Sequence, residues 1–111
     1  LLYLCIHTEA YNHTRKSQYY YTVQKENIAD KFHTYGFEWD EESFTYFIDG
    51  KKEHTYTRGE DNKSATEEGW PFNQSFYLII NLAIGGTLGG KVDKTCFPQQ
   101  FIIKSIKIEE A

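Results

Sequence analysis

The run Glu38-Trp39-Asp40-Glu41-Glu42 places acidic side chains at 38, 40 and 42, every second position. Alternate residues of a strand project to one face. Such spacing could therefore set an acid beside a nucleophile, as covalent and general acid/base chemistry both require. Two features argue against that use. Glu41 would be forced inward as an uncompensated charge, and Asp40 opens the turn cluster Asp40-Glu41-Glu42-Ser43. A strand end followed by a solvated turn is the expected structure, and no catalytic residue is assigned to the chain. His13, His33 and His54 are scattered without ligand spacing, and Cys5 and Cys96 match no metal pattern. No metal and no cofactor are expected. The glycine-rich run Gly85 to Gly90 lacks the Lys-Ser/Thr pair and the following helix of a phosphate loop, and reads as a turn.

Three other residues stand out by type and place. Trp70 precedes Pro71 at the end of a polar loop, Arg58 to Gly69, long enough to suggest more than a connector. Asn81 is polar in the middle of the most apolar segment, Phe76 to Ile84, where an amide needs partners. His7 alternates with Tyr3 and Cys5 on one side of an opening strand.

The elements that would position these residues are strands. With 111 residues, 40% hydrophobic and 17% aromatic, the chain can bury one modest core and is expected to be a single unit or part of one. Nine tyrosines and eight phenylalanines favour pleated, half-buried surfaces. Leu1 to Ile6, Gln18 to Val23, Phe32 to Trp39, Phe44 to Ile48 and Lys51 to Thr57 read as successive strands. Asp49-Gly50 is the strongest hairpin signal, because a type I′ turn needs positive φ at both central positions. Phe76 to Ile84 reads as a central strand and Phe101 to Ile108 as a last one. Trp39, in the alternating face of His33, Tyr35 and Phe37, is expected in the core. The fold class is thus all-β, a β-sandwich or jelly roll.

A net charge of −4 with no basic stripe makes nucleic acid a poor partner. No apolar run approaches the roughly 20 residues that span a bilayer, so no membrane partner is expected. Two free, mostly buried thiols are favoured over a disulfide joining Cys5 and Cys96. The sequons at Asn12, Asn62 and Asn73 would matter only in a secreted eukaryotic protein. The absence of methionine and the strand-like opening at Leu1 suggest an interior start.

Three segments in order resemble the laminarinase-like branch of glycoside hydrolase family 16. They are Ile6-His7-Thr8-Glu9-Ala10-Tyr11-Asn12, then Phe32-His33-Thr34-Tyr35-Gly36-Phe37-Glu38-Trp39 running on to Phe47-Ile48-Asp49-Gly50, and Trp70-Pro71-Phe72-Asn73 through Asn81-Leu82-Ala83-Ile84-Gly85-Gly86 to Val92-Asp93 and Phe97-Pro98-Gln99. The resemblance covers nearly the whole chain but corresponds to the later, C-terminal part of that catalytic domain. It implies a concanavalin-like jelly roll, incomplete in this chain, whose concave face binds a β-glucan. It also implies endo-acting, retaining cleavage of internal β-1,3 or mixed β-1,3/1,4 linkages, which needs two carboxyl groups about 5 to 5.5 Å apart. In the family both acids come from one Glu-x-Asp…Glu strand, which would precede Leu1. The residues around Glu38 match a different, non-catalytic segment.

By the same resemblance Trp70 is similar to a cleft-lining tryptophan that stacks on a sugar ring; a core or loop-anchoring indole is the alternative. Asn81 could bond a sugar hydroxyl or brace neighbouring strands. His7 could lie near the cleavage subsite, or be satisfied by a nearby backbone group. Tyr11 and Asn12 could rim the cleft. Lys104 stands where the family usually carries an Asp that helps hold a structural calcium, and an ammonium cannot ligate a cation. The implied partner is a β-glucan polysaccharide or oligosaccharide, and the implied location is extracellular or periplasmic, although no signal-peptide pattern is present in the chain. A non-catalytic, lectin-like glycan-binding sandwich is the alternative, and a structural adhesion sandwich a weaker third. Exposed sheet edges of a partial sandwich would favour self-association.

Overall fold

The structure is a computed structural model that describes residues 1–12, 14–17, 19–60, 66 and 68–110. His13, the sequon at Asn62 and half of the 58–69 loop lie outside the described residues. The chain divides into two compact units, Leu1–Phe76 and Tyr77–Ala111.

The first unit is all-β and antiparallel. Strand β1 (Leu2–Ile6) pairs with β2 (Tyr19–Val23), bringing Leu4 opposite Tyr21 and Ile6 opposite Tyr19. Strands β3 (Tyr35–Trp39), β4 (Ser43–Ile48) and β5 (Lys51–Thr57) form a second sheet in that order. The turn between β4 and β5 has Asp49 at φ 51° and Gly50 at φ 79°, the left-handed pair that the Asp-Gly dipeptide predicts. A bulge between Tyr46 and Phe47 shifts the β4–β5 register.

Aromatic and aliphatic side chains join the two sheets. Ile6 of β1, Tyr56 of β5 and Trp70 form the buried cluster, with Tyr19, Phe44, Tyr46 and Phe72 packed around it. Polar atoms inside this core are partnered, as burial demands. The Tyr46 hydroxyl donates to the Cys5 carbonyl at 2.8 Å, and the Tyr56 hydroxyl donates to the Leu4 carbonyl. The flat stack of Tyr21 of β2 on His54 of β5, with ring centroids 4.3 Å apart, adds a further contact between the sheets.

Trp39 departs from the expectation of a core residue: it is 43% exposed. The register explains this. Trp39 opposes Phe44 and stacks on it, so it points to the inner side of the sheet. β3 is nevertheless an edge strand of its sheet, as β5 is, and its inward row of Tyr35, Phe37 and Trp39 is incompletely covered.

The second unit contains no strand among its described residues. It holds one helical turn, α1 (Gly86–Gly89), and a 3-10 turn at Lys94–Cys96 whose N-cap, Asp93, accepts from the Thr95 amide at 2.9 Å. The strands expected at Phe76 to Ile84 and Phe101 to Ile108 are therefore not formed. Their apolar side chains are exposed, Tyr77 to 84% and Ile108 to 77%. A strand is stabilised by a ladder partner and by cross-strand side-chain pairs, and neither run has a ladder. Both cysteines are free, but Cys96 is exposed rather than buried, because the segment around it has no core to enter.

Candidate functional site

His7 follows the last residue of β1 and is exposed, while its neighbour Ile6 is buried in the cluster that contains Trp70. The loop beyond it is tightly tied. Thr8 Oγ1 accepts from the Tyr11 amide at 3.1 Å, and the Asn12 side chain donates to the carbonyls of Thr8 and Glu9 while accepting from the Arg15 amide. The Ala10 amide donates to the Glu68 carbonyl at 2.9 Å, fastening this loop to the segment that leads into Trp70. Tyr11 is buried rather than set on a rim. Asn12 instead organises the loop through its amide.

Trp70 is 1% exposed. Its indole N–H donates to the Glu41 carbonyl at 2.9 Å, and its ring meets the edges of Phe44 and Phe72. The chain as it stands presents no open face of this ring to a ligand. Asn81 belongs to the second unit, where it is exposed. Thus His7 and Trp70 belong to one unit, His7 next in sequence to the Ile6 that packs with Trp70, and Asn81 lies in the other.

The acidic run at 38 to 42 is a strand end and a turn. Asp40 Oδ1 accepts from the Glu42 and Ser43 amides at 2.7 and 2.8 Å, and these bonds hold its carboxyl below its ordinary pKa. That carboxylate closes the turn between β3 and β4. Among the described residues, no group of three His, Cys, Asp or Glu side chains is arranged to hold a metal ion.

A further electrostatic arrangement joins residues that no spacing in the sequence links. His33 Nδ1 sits 2.7 Å from Asp49 Oδ2, and His33 Nε2 sits 3.0 Å from the Asn27 carbonyl. Asp49 Oδ1 accepts from the Thr34 amide at 2.9 Å, and Lys25 lies 3.5 Å from Oδ2. The His33 hydrogen bond, then the Thr34 amide, push Asp49 down to about 2. Asp49 and the Asn27 carbonyl raise His33 in turn. Histidine spacing could not reveal this junction, because its partners are a turn residue and a backbone carbonyl.

Comparison with known proteins places the chain. The description Glycosyl hydrolases family 16 matches residues 3–96. A beta-glucanase of Rhodothermus marinus is 33% identical over 109 residues, covering 93% of this chain and 37% of that protein. A glucan endo-1,3-beta-glucosidase A1 of Niallia circulans is 32% identical over 73 residues, 64% of this chain and 11% of that protein. A beta-1,3-glucan-binding protein of Penaeus monodon is 30% identical over 92 residues, 71% of this chain and 25% of that protein. The chain thus spans well under half the length of these relatives. No solved structure gives a significant match. With the family description covering most of its length, over strands in the antiparallel pairing of a β-sandwich, the chain belongs to glycosyl hydrolase family 16.

Proposed function

We infer that the chain forms the C-terminal part of a catalytic domain that cleaves internal β-1,3 or mixed β-1,3/1,4 glucan linkages with retention. The observation that carries this reading is the similarity to a beta-glucanase along 93% of the chain. Retention needs a nucleophile and an acid/base about 5 to 5.5 Å apart. In this reading both stand on a Glu-x-Asp…Glu strand encoded upstream of Leu1, and the 111 residues alone are catalytically silent.

The chain contributes part of one wall of the glycan cleft. In this reading His7 and Asn81, both exposed and each in its own unit, are assigned to sugar hydroxyls, and the buried Trp70 supports the first unit's contribution from within its core. The parent acts outside the cytoplasm, where its polymer substrate lies. The test is to express the 111 residues alone and joined to their upstream sequence, and to measure reducing ends released from laminarin. Activity only in the joined protein is expected. Release of reducing ends by the 111 residues alone would overturn the assignment of the chemistry to the upstream strand.

A second reading, a glucan-binding protein without hydrolysis, is favoured by the similarity to the Penaeus monodon beta-1,3-glucan-binding protein. The upstream coding sequence separates the two. A Glu-x-Asp-x(x)-Glu strand supports the hydrolase, and an intact frame without one supports the binder.

A further inference from the structure

The His33 junction ties the loop that joins β2 to β3 to the turn between β4 and β5. Asp49 stands in the turn between β4 and β5, Thr34 leads into β3, and Asn27 lies in the loop joining β2 to β3. The imidazole is largely covered, its side chain 9% exposed. Both of its ring nitrogens face oxygen acceptors, a carboxylate at 2.7 Å and a carbonyl at 3.0 Å.

A neutral imidazole carries one N–H and one lone pair, so it can donate to one of these oxygens only. The other nitrogen would then set its lone pair against an oxygen lone pair. The imidazolium carries two N–H groups and satisfies both acceptors. The geometry is therefore complete only in the protonated ring. We propose that His33 is a proton-operated latch that fastens the loop at 24–34 to the turn between β4 and β5, closed in mildly acidic solution and released as the solution becomes alkaline.

The chemistry of the step is a single proton exchanged with solvent. When the ring loses it, one of two donated hydrogen bonds is lost, and the ion pair with Asp49 goes with it. The titratable and charged groups facing the junction are Asp49 from the turn, Lys25 from the loop and Tyr35 from β3. Asp49 favours the imidazolium and Lys25 opposes it, and the hydrogen bond to Asp49 is the largest influence. Tyr35 is raised, first by burial and then by Asp49, and stays neutral across the range in which the latch works.

The signs of the two partners define a window. His33 is raised above its ordinary 6.5, so its contribution is complete below 6.5 and is lost as pH rises through the raised value. Asp49 is lowered from 3.8 to about 2, so its contribution is complete above 3.8 and is lost as pH falls toward about 2. The latch is fully closed between these limits.

Long-range proton–nitrogen NMR on the intact protein, labelled with 15N-histidine, reads the His33 ring directly, and amide-exchange protection of residues 24–34 reads the loop. The expected result is a doubly protonated ring persisting above pH 6.5, with loop protection falling several-fold as that proton leaves. Asp49→Asn keeps a residue that tolerates left-handed φ and should return His33 toward its ordinary value, flattening the pH dependence of the loop. Titration of wild-type His33 at or below 6.5, or loop protection that ignores its protonation, would overturn the latch. The wild-type measurement decides the matter even if the variant does not fold.

Discussion

The segment from Tyr35 to Thr57 and the segment from Phe76 to Ile108 are both rich in β-branched and aromatic residues, yet only the first forms a sheet. Their difference is partnership. In the first, a two-residue turn of Asp49 and Gly50 returns the chain on itself, so each strand finds its ladder within a few residues. In the second, the two apolar runs are separated by glycines, a helical turn and a 3-10 turn, and neither pairs. β-propensity states what fits a pleated surface; it does not supply the neighbouring strand.

The largest expected consequence is association. The unpaired runs expose Tyr77, Ile79, Ile102 and Ile108, and β3 leaves an aromatic row at a sheet edge. Such surfaces invite pairing with another chain. The isolated 111 residues should form swapped or larger oligomers in light scattering, and a sharply melting monomer would erase the contrast between the two regions.

Core substitutions should separate the regions by energy. Trp70→Ala removes the indole that seals the cluster and its bond to Glu41, and should cost about 3–5 kcal/mol. Leu82→Ala or Ile103→Ala, in exposed unpaired runs, should stay within about 0.5 kcal/mol in denaturant unfolding of the isolated chain. Equal losses at Trp70 and Ile103 would mean that the second region is packed.

Alkaline titration tests the first region alone. Burial, with a smaller influence from Cys5, pushes Tyr46 up from 10.0 to about 12, and burial raises Tyr56 in the same direction. A raised phenol stabilises the fold below its unfolded value, and that stability is lost as pH climbs from 10 toward 12. The loss should be on the order of 1–2 kcal/mol for Tyr46 after allowance for screening at a half-buried site. Phenolate absorbance should then rise in step with unfolding; ionisation of every tyrosine near 10 would show that the ties to Leu4 and Cys5 are weak.

The last contrast is between two glycines. Gly50→Ala meets no atom but must hold φ 79°, and should cost about 1 kcal/mol. Gly89→Ala, in open space without positive φ, should be neutral or slightly stabilising. Reversal of that order would contradict the assignment of Asp49-Gly50 as the structural pivot.

The local order of the first region was legible. Asp49-Gly50 specifies its turn by backbone sterics, and the flanking residues alternate, so the strand Lys51–Thr57 could be bounded from the residues alone. Asp40 could likewise be read as a turn residue, since its carboxylate bonds amides two and three positions on. The candidate site was less legible. Trp70 could be singled out by type and position, but its burial depends on Phe44 and Phe72 and on the Glu41 carbonyl, contacts that have no spacing signature.

Composition and alternation were enough to mark an all-β chain, because side-chain period and turn sterics are local properties, while the ordered motifs carried only a resemblance to glycosyl hydrolase family 16, which the family comparison then showed. Only the tertiary structure decided that β3 is an edge, that Trp39 is exposed and Trp70 covered, and that His33 meets Asp49 and Asn27. Those outcomes depend on which segments find neighbours, and a neighbour distant along the chain leaves no periodic trace in the residues that will touch it.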